Sequence, residues 1–173
     1  LLTTYLNAKN AFIENEDYSY NAAIKSDQNI EIKENAQLVV NGNGISARAL
    51  NSDWNTYIYG GEIKIDLSGL YNIEATDTTS VYGIKADSSV IISGGNSIIT
   101  IGNDAKTSKG IKANNVTING GVLNITNDGG YFSLSDNTFA TAKAIKADSN
   151  VNILGGESTL TCNYGKGITC DGN

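Results

Sequence analysis

The chain has 173 residues, 17% of them charged and 40% hydrophobic, with a formal net charge of −6. That balance fits one domain spanning 1–173, excludes disorder by composition, and argues against nucleic acid, whose binding rests on clustered basic charge. It holds no Pro and no His, and no stretch reaches the roughly 18 apolar residues that cross a bilayer, so no membrane insertion is expected. A chain without Pro suits a fold in which nearly every backbone N–H is paired. It carries no signal peptide and begins at Leu1, so it reads as a processed protein or an excised fragment.

In chain order, residues 1–19 come first and form an N-terminal cap. Leu2, Leu6 and Ile13 share one face of a helix, and the stretch reads almost as well as a strand. One irregular repeat follows. Residues 23–32 (AIKSDQNIEI) match its opening. Residues 44–47 (GISA) followed by 59–65 (YGGEIKI) read as a copy with a longer insertion, which would hold Trp54 and border Arg48. Residues 82–101, 109–125 and 143–162 align without effort, and KGITCDGN from Lys166 is a copy that stops inside a coil. The anchors are Ile24, Ile45, Ile84, Ile111, Ile145 and Ile168, separated by 21, 39, 27, 34 and 23 residues.

Each copy reads as three short strands: G-I-K-A, then V-x-I before Gly-Gly, then an alternating apolar pair such as Ile99 and Ile101. A constant body with variable connectors predicts an all-β, right-handed, single-stranded parallel β-helix (a β-solenoid) with three strands per coil. Stacking puts the anchor isoleucines in one inward ladder, and Ser26, Ala47, Ala86, Ala113, Ala147 and Cys170 in another. Gly-Gly recurs at residues 60–61, 94–95, 120–121 and 155–156, marking a corner that needs positive φ or a close backbone approach. Asp27, Asp87, Asn114, Asp148 and Asp171 follow the first strand, and Asn103, Asn127 and Asn163 the third, where stacked amides can form a ladder. Cys162 stands in the place of Ile101 and Ile125, and Cys170 in that of the ladder alanines. Two buried free thiols are expected; spacing alone leaves a disulfide open.

The phrases SKGIKANNVTINGGVLNIT (108–126) and AKAIKADSNVNILGGESTLT (142–161) resemble the carbohydrate-binding parallel β-helix domains of bacterial surface proteins, known from clostridial and Bacteroides-type genomes. The resemblance covers residues 81–173 well and 20–80 loosely. It implies an architecture similar to pectate lyases, binding of cellulose-like or pectin-like polymers, an extracellular or cell-surface location, and calcium in some members. Many of that family's repeats carry Asp-Asp just before Gly-Ile. Here those places hold Lys109, Lys143 and Lys166, so the family's calcium positions do not carry over.

Chemistry-bearing motifs point to binding. Without His there is no imidazole base, no Ser-His-Asp triad and no His-ligated metal, so no catalytic residues are assigned and no cofactor is required. The outward residues of the first strands, Lys25, Ser46, Lys85, Lys112, Lys146 and Thr169, form a lysine column at Lys85, Lys112 and Lys146, edged by Lys109, Lys143 and Lys166. Like charges stacked across strands are unfavourable, so a basic stripe in an acidic protein suits an anionic, pectin-like polymer. The plain alternative is solubilising lysines screened by Asp87 and Asp148. Tyr71, Tyr131, Phe132 and Tyr164 follow third strands, and with Trp54 they offer flat apolar area for sugar rings or cover loop interiors. Asp104, Asp128 and Asp136 lie in or beside the same connectors and are the candidate calcium ligands, against a reading as solvated loop carboxylates. The resulting expectation is a non-catalytic polysaccharide-binding module of a secreted or surface-attached bacterial protein. The alternatives are a structural adhesin stalk or end-to-end stacking subunit and, behind both, a pectate-lyase-like enzyme.

Overall fold

The computed structural model describes residues 2–6, 13–14, 17–18, 22–44, 46–69, 72–74, 77–102, 104–105, 107–129, 132–133, 139–140 and 142–173. The described residues form strands and turns, with no helix among them. Strand β1 (Leu2–Leu6) precedes a small antiparallel hairpin of β2 (Ile13–Glu14) and β3 (Asp17–Tyr18). The first repeat is β4 (Ala22–Ser26), β5 (Ile30–Ile32) and β6 (Gln37–Gly42). The second is β7 (Arg48–Ser52), β8 (Asn55–Ile58) and β9 (Glu62–Leu67). A hairpin of β10 (Asn72–Glu74) and β11 (Asp77–Thr79) leads into the third, β12 (Val81–Ala86), β13 (Ser89–Ile92) and β14 (Asn96–Ile101). In the fourth, one long strand, β15 (Ser108–Ile118), takes the place of the first two and is followed by β16 (Val122–Asn127). A third hairpin, β17 (Phe132–Ser133) with β18 (Phe139–Ala140), precedes the fifth repeat, β19 (Ala142–Ile153) and β20 (Glu157–Cys162). Strand β21 (Gly165–Cys170) comes last.

Every pairing between repeats is parallel and joins equivalent strands of consecutive repeats. The first rank runs β4, β7, β12, β15, β19, β21, and the second β5, β8, β13, β15, β19. The third rank, β1, β6, β9, β14, β16, β20, is a separate six-stranded sheet. Because β15 and β19 belong to both of the other ranks, those two join into one nine-stranded sheet.

Alternation explains the strands. In β9 and β14 every second residue is buried, and in register Val40, Ile65, Ile99 and Ile125 stack on one another at under 2% exposure. Each such side chain contributes roughly 1.5–3 kcal/mol of burial. The glycine corners follow the sequence expectation. Gly61, Gly95, Gly121 and Gly156 have φ between 79° and 88°. A Cβ on Gly95 would sit 2.5 Å from the Gly60 carbonyl carbon and the Gly61 oxygen, so only glycine stacks there.

Four sequence readings need correction. The first-rank ladder is Ile24, Leu50, Ile84, Ile111, Ile145 and Ile168, so Leu50 and not Ile45 fills the second position. Ser52 and Asn51 accordingly replace Ala47 and Ser46, and there is no long insertion: Trp54 sits in the two-residue turn between β7 and β8. Strand pairing sets this register: Leu50 lies between Ile24 and Ile84, Arg48 between Ala22 and Tyr82, and Asn51 between Lys25 and Lys85, while all five residues of β7 are buried. At the N-terminus Leu2–Leu6 pairs with Leu38–Gly42 as a strand, so the helical alternative falls there. Cys162 lies opposite Asn127, not Ile125, and both cysteines are free and half-buried rather than enclosed. The third-strand asparagine ladder does not form at its described members. Asn127 turns inward, while Asn163 donates to Asp128 Oδ1 at 2.7 Å; Asn103 lies outside the described residues.

Candidate functional site

Two neighbouring columns of basic residues run across the first-rank strands. The outward column is Lys25, Asn51, Lys85, Lys112, Lys146 and Thr169. Its lysines are matched by the aspartates that follow the same strands. Lys25 meets Asp27 at 3.0 Å, Lys85 pairs with Asp87, and Lys112 with Asp148. Lys146 bridges Asp148 at 3.7 Å and Asp171 at 2.6 Å. Its nearness holds the Asp171 carboxyl below the usual range. This column is an alternating salt-bridge ladder, close to neutral along its length.

The second column lies three residues earlier on each strand: Ala22, Arg48, Tyr82, Lys109, Lys143 and Lys166. Among the described residues no carboxylate lies within ion-pair distance of Lys109, Lys143 or Lys166. The Tyr82 ring is held between Arg48, 5.0 Å from its centroid, and Lys109, at 5.2 Å. Arg48 also donates to Asn51 Oδ1 at 2.9 Å, and Lys109 Nζ to Ser80 Oγ at 2.8 Å. Burial, reinforced by the charges of Lys112, Lys146 and Arg48, lowers the Lys109 ammonium from 10.5 to about 8. Burial and the neighbouring Lys109, Lys146 and Lys166 lower Lys143 as well. Like charges one strand spacing apart, about 4.8 Å, repel, and an anion laid along the column would relieve them.

The base of this column is braced by Asn127, which is fully buried. Its Oδ1 accepts from Ser108 Oγ at 2.7 Å and from the Gly129 N–H at 3.1 Å, and its Nδ2 donates to the Lys143 carbonyl at 2.8 Å. A buried amide with these bonds made is stable in place, and it ties the start of β15 to β19 at Lys143.

The remaining sequence candidates do not converge. Trp54 is 53% exposed in the turn between first- and second-rank strands, and Tyr164 is 61% exposed in the turn between third and first. They occupy different turns of the repeat. Phe132 begins β17, while Tyr71, Tyr131 and Asp136 lie outside the described residues. Asp104 is exposed, and Asp128 is half-buried against Asn163. Among the described residues no three His, Cys, Asp or Glu side chains gather to hold a metal. Sequence reasoning missed Tyr82, Ser80 and Asn127 as parts of the basic column. The gap-free match of residues 48–58 to 82–92, with Asp53 on Asp87 and Ile58 on Ile92, carried the signal that aligns Arg48 with Tyr82.

No protein family, curated protein or solved structure matches the chain.

Proposed function

We propose that this chain is a right-handed parallel β-helix serving as a non-catalytic polysaccharide-binding module of a secreted or surface-attached bacterial protein, and that its ligand is an anionic polymer. The fold reading is supported by the three ranks of parallel pairing, each between consecutive repeats. It is also supported by the ends of the nine-stranded sheet: β4 pairs with β7 and β5 with β8, and the two do not pair with each other as a closed barrel would need. The handedness follows the general preference of parallel crossovers. The resemblance of residues 108–126 and 142–161 to carbohydrate-binding β-helix repeats supports the ligand class.

One observation carries the functional reading. The outward lysines are neutralised by aspartates of the same or the next repeat, whereas Lys109, Lys143 and Lys166 stand in a row without described carboxylate partners. Holding that row costs stability, and a linear polyanion is the ligand whose geometry matches it. Uronic acids along a chain recur at a spacing near that of the strands. Calcium is not needed for this contact, since the ammonium groups supply the charge. Affinity electrophoresis against polygalacturonate and a neutral β-glucan, at low and high salt and with and without calcium, tests the reading. Retardation by polygalacturonate that fades with salt supports it. Retardation only by the neutral glucan moves the site to exposed aromatics such as Trp54 and Tyr164. No retardation by either favours a structural stalk.

A further inference from the structure

The row formed by Lys109, Lys143 and Lys166 is continuous. Lys109 lies opposite Lys143, and Lys143 opposite Lys166, so three consecutive repeats each place one ammonium at the same position. Successive stems leave the fold about 4.8 Å apart. On the side of β12 the row stops at Tyr82, the register partner of Lys109, whose ring contacts both Lys109 and Arg48. Lys143 stands in the middle. Burial, and then the charges of Lys109, Lys146 and Lys166, lower its ammonium.

This spacing selects the charge pattern of a ligand. A polymer with an anionic group on every sugar, advancing about one strand spacing per sugar, sets one group against each lysine. A polymer charged on every second sugar offers groups about 9.6 Å apart. It meets Lys109 and Lys166 and covers Lys143 with a neutral sugar, or it meets Lys143 alone. An ammonium that is covered but left unpaired is worse placed than one left in water.

The side chains select the chemistry. All three are lysines, each a compact charge on a flexible stem with three rotatable donors. None presents the planar fork with which arginine grips a carboxylate through two parallel bonds. The chain's one arginine, Arg48, lies beyond Tyr82, with Nη1 donating to Asn51 Oδ1 and its guanidinium against the Tyr82 ring. Three lysines therefore meet a sulfate ester as well as they meet a carboxylate.

We propose that the row reads the spacing of charge and not the kind of anion, so that its ligand carries one anionic group on every sugar, sulfate ester and carboxylate alike. This rests on the anionic-polymer reading above; it narrows the charge pattern and widens the chemistry.

Four polymers of matched length, as sodium salts at low ionic strength, separate the two variables by calorimetry. Iota-carrageenan carries a sulfate on every sugar, and kappa-carrageenan carries one on every second sugar of the same backbone. Polygalacturonate carries a carboxylate on every sugar, and hyaluronate on every second one. Within each pair the polymer charged on every sugar should bind roughly tenfold more tightly, and the two such polymers should agree within about threefold. Lys143→Met should remove the tenfold difference. Lys112→Met deletes one charge as well, but from the column already paired with Asp148, and should keep the difference. That contrast separates the row from overall charge density. Equal affinity within either pair, a difference that survives Lys143→Met, or one that is lost in Lys112→Met overturns the spacing. Binding of only one of the two polymers charged on every sugar overturns the indifference to the anion. Each of these results leaves the anionic-polymer reading standing, whereas binding of none of the four overturns both. The comparison on the unaltered protein holds whether or not the variants fold.

Discussion

Replacing Lys109 with Met removes an ammonium that the fold holds against its own electrostatics while keeping most of the stem's apolar volume. A fall from 10.5 to about 8 corresponds to about 3 kcal/mol acting against the charged form, a figure that partial solvent exposure reduces. The variant forfeits the hydrogen bond to Ser80, worth about 1 kcal/mol, and the contact with the Tyr82 ring, worth about 0.5–1 kcal/mol. The balance leaves the variant about 1 kcal/mol more stable at pH 7. The pH dependence carries the sharper test. Lys109 titrates lower in the folded chain than in the unfolded one, so between about 8 and 10.5 the unfolded state holds more protons and wild-type stability rises with pH. The variant lacks that gain, so its advantage at pH 7 shrinks and then reverses across the window, the wild type ending ahead by the contacts the variant has lost. Urea unfolding of both proteins at low salt, from neutral pH to pH 10.5, measures the difference while titrations common to both cancel. A variant less stable than wild type at pH 7, or a difference independent of pH, would refute the electrostatic account of the column.

Lys143→Ala should weaken retention on polygalacturonate more than Lys112→Ala, because Lys112 is already engaged by Asp148; gel mobility of the two variants side by side decides it. Asn127→Ala should cost about 2–4 kcal/mol by chemical denaturation, since Ser108 Oγ, the Gly129 N–H and the Lys143 carbonyl lose their partner inside the fold. Gly95→Ala should destabilise by more than about 2 kcal/mol, from its positive φ and the overlap with Gly60 and Gly61. Gly102→Ala, whose Cβ would meet its nearest neighbour at 3.6 Å, should stay within about 0.5 kcal/mol in the same assay.

The parallel stacking was legible from the recurrence of Gly-Ile-Lys-Ala and Gly-Gly, because both motifs report backbone and burial demands that every repeat shares. The pairing of Ile84, Ile111, Ile145 and Ile168 matches the sequence alignment residue for residue. The second repeat is masked in the sequence because its Gly44 and Ile45 imitate the motif in letters, while Leu50 takes the anchor position with a different side chain. Asn127 looks like a turn residue in the sequence because nothing in its neighbourhood announces that Ser108, nineteen positions upstream, donates to it inside the fold. The lysine columns were visible as columns. Their inequality was not, because it depends on where the aspartates reach. Asp148 lies two residues after Lys146, yet it also reaches across a strand to Lys112.

The most direct test of the basic column as the polymer site is proton uptake on binding. Laying a polyanion on Lys109 should raise its pKa, so titration with polygalacturonate slightly above pH 8 should draw protons from the buffer. Calorimetry in buffers of different ionisation enthalpy should then give binding enthalpies that vary with the buffer, and Lys109→Met should reduce that variation. Binding whose enthalpy is the same in every buffer would place the polymer elsewhere on the protein and contradict the account.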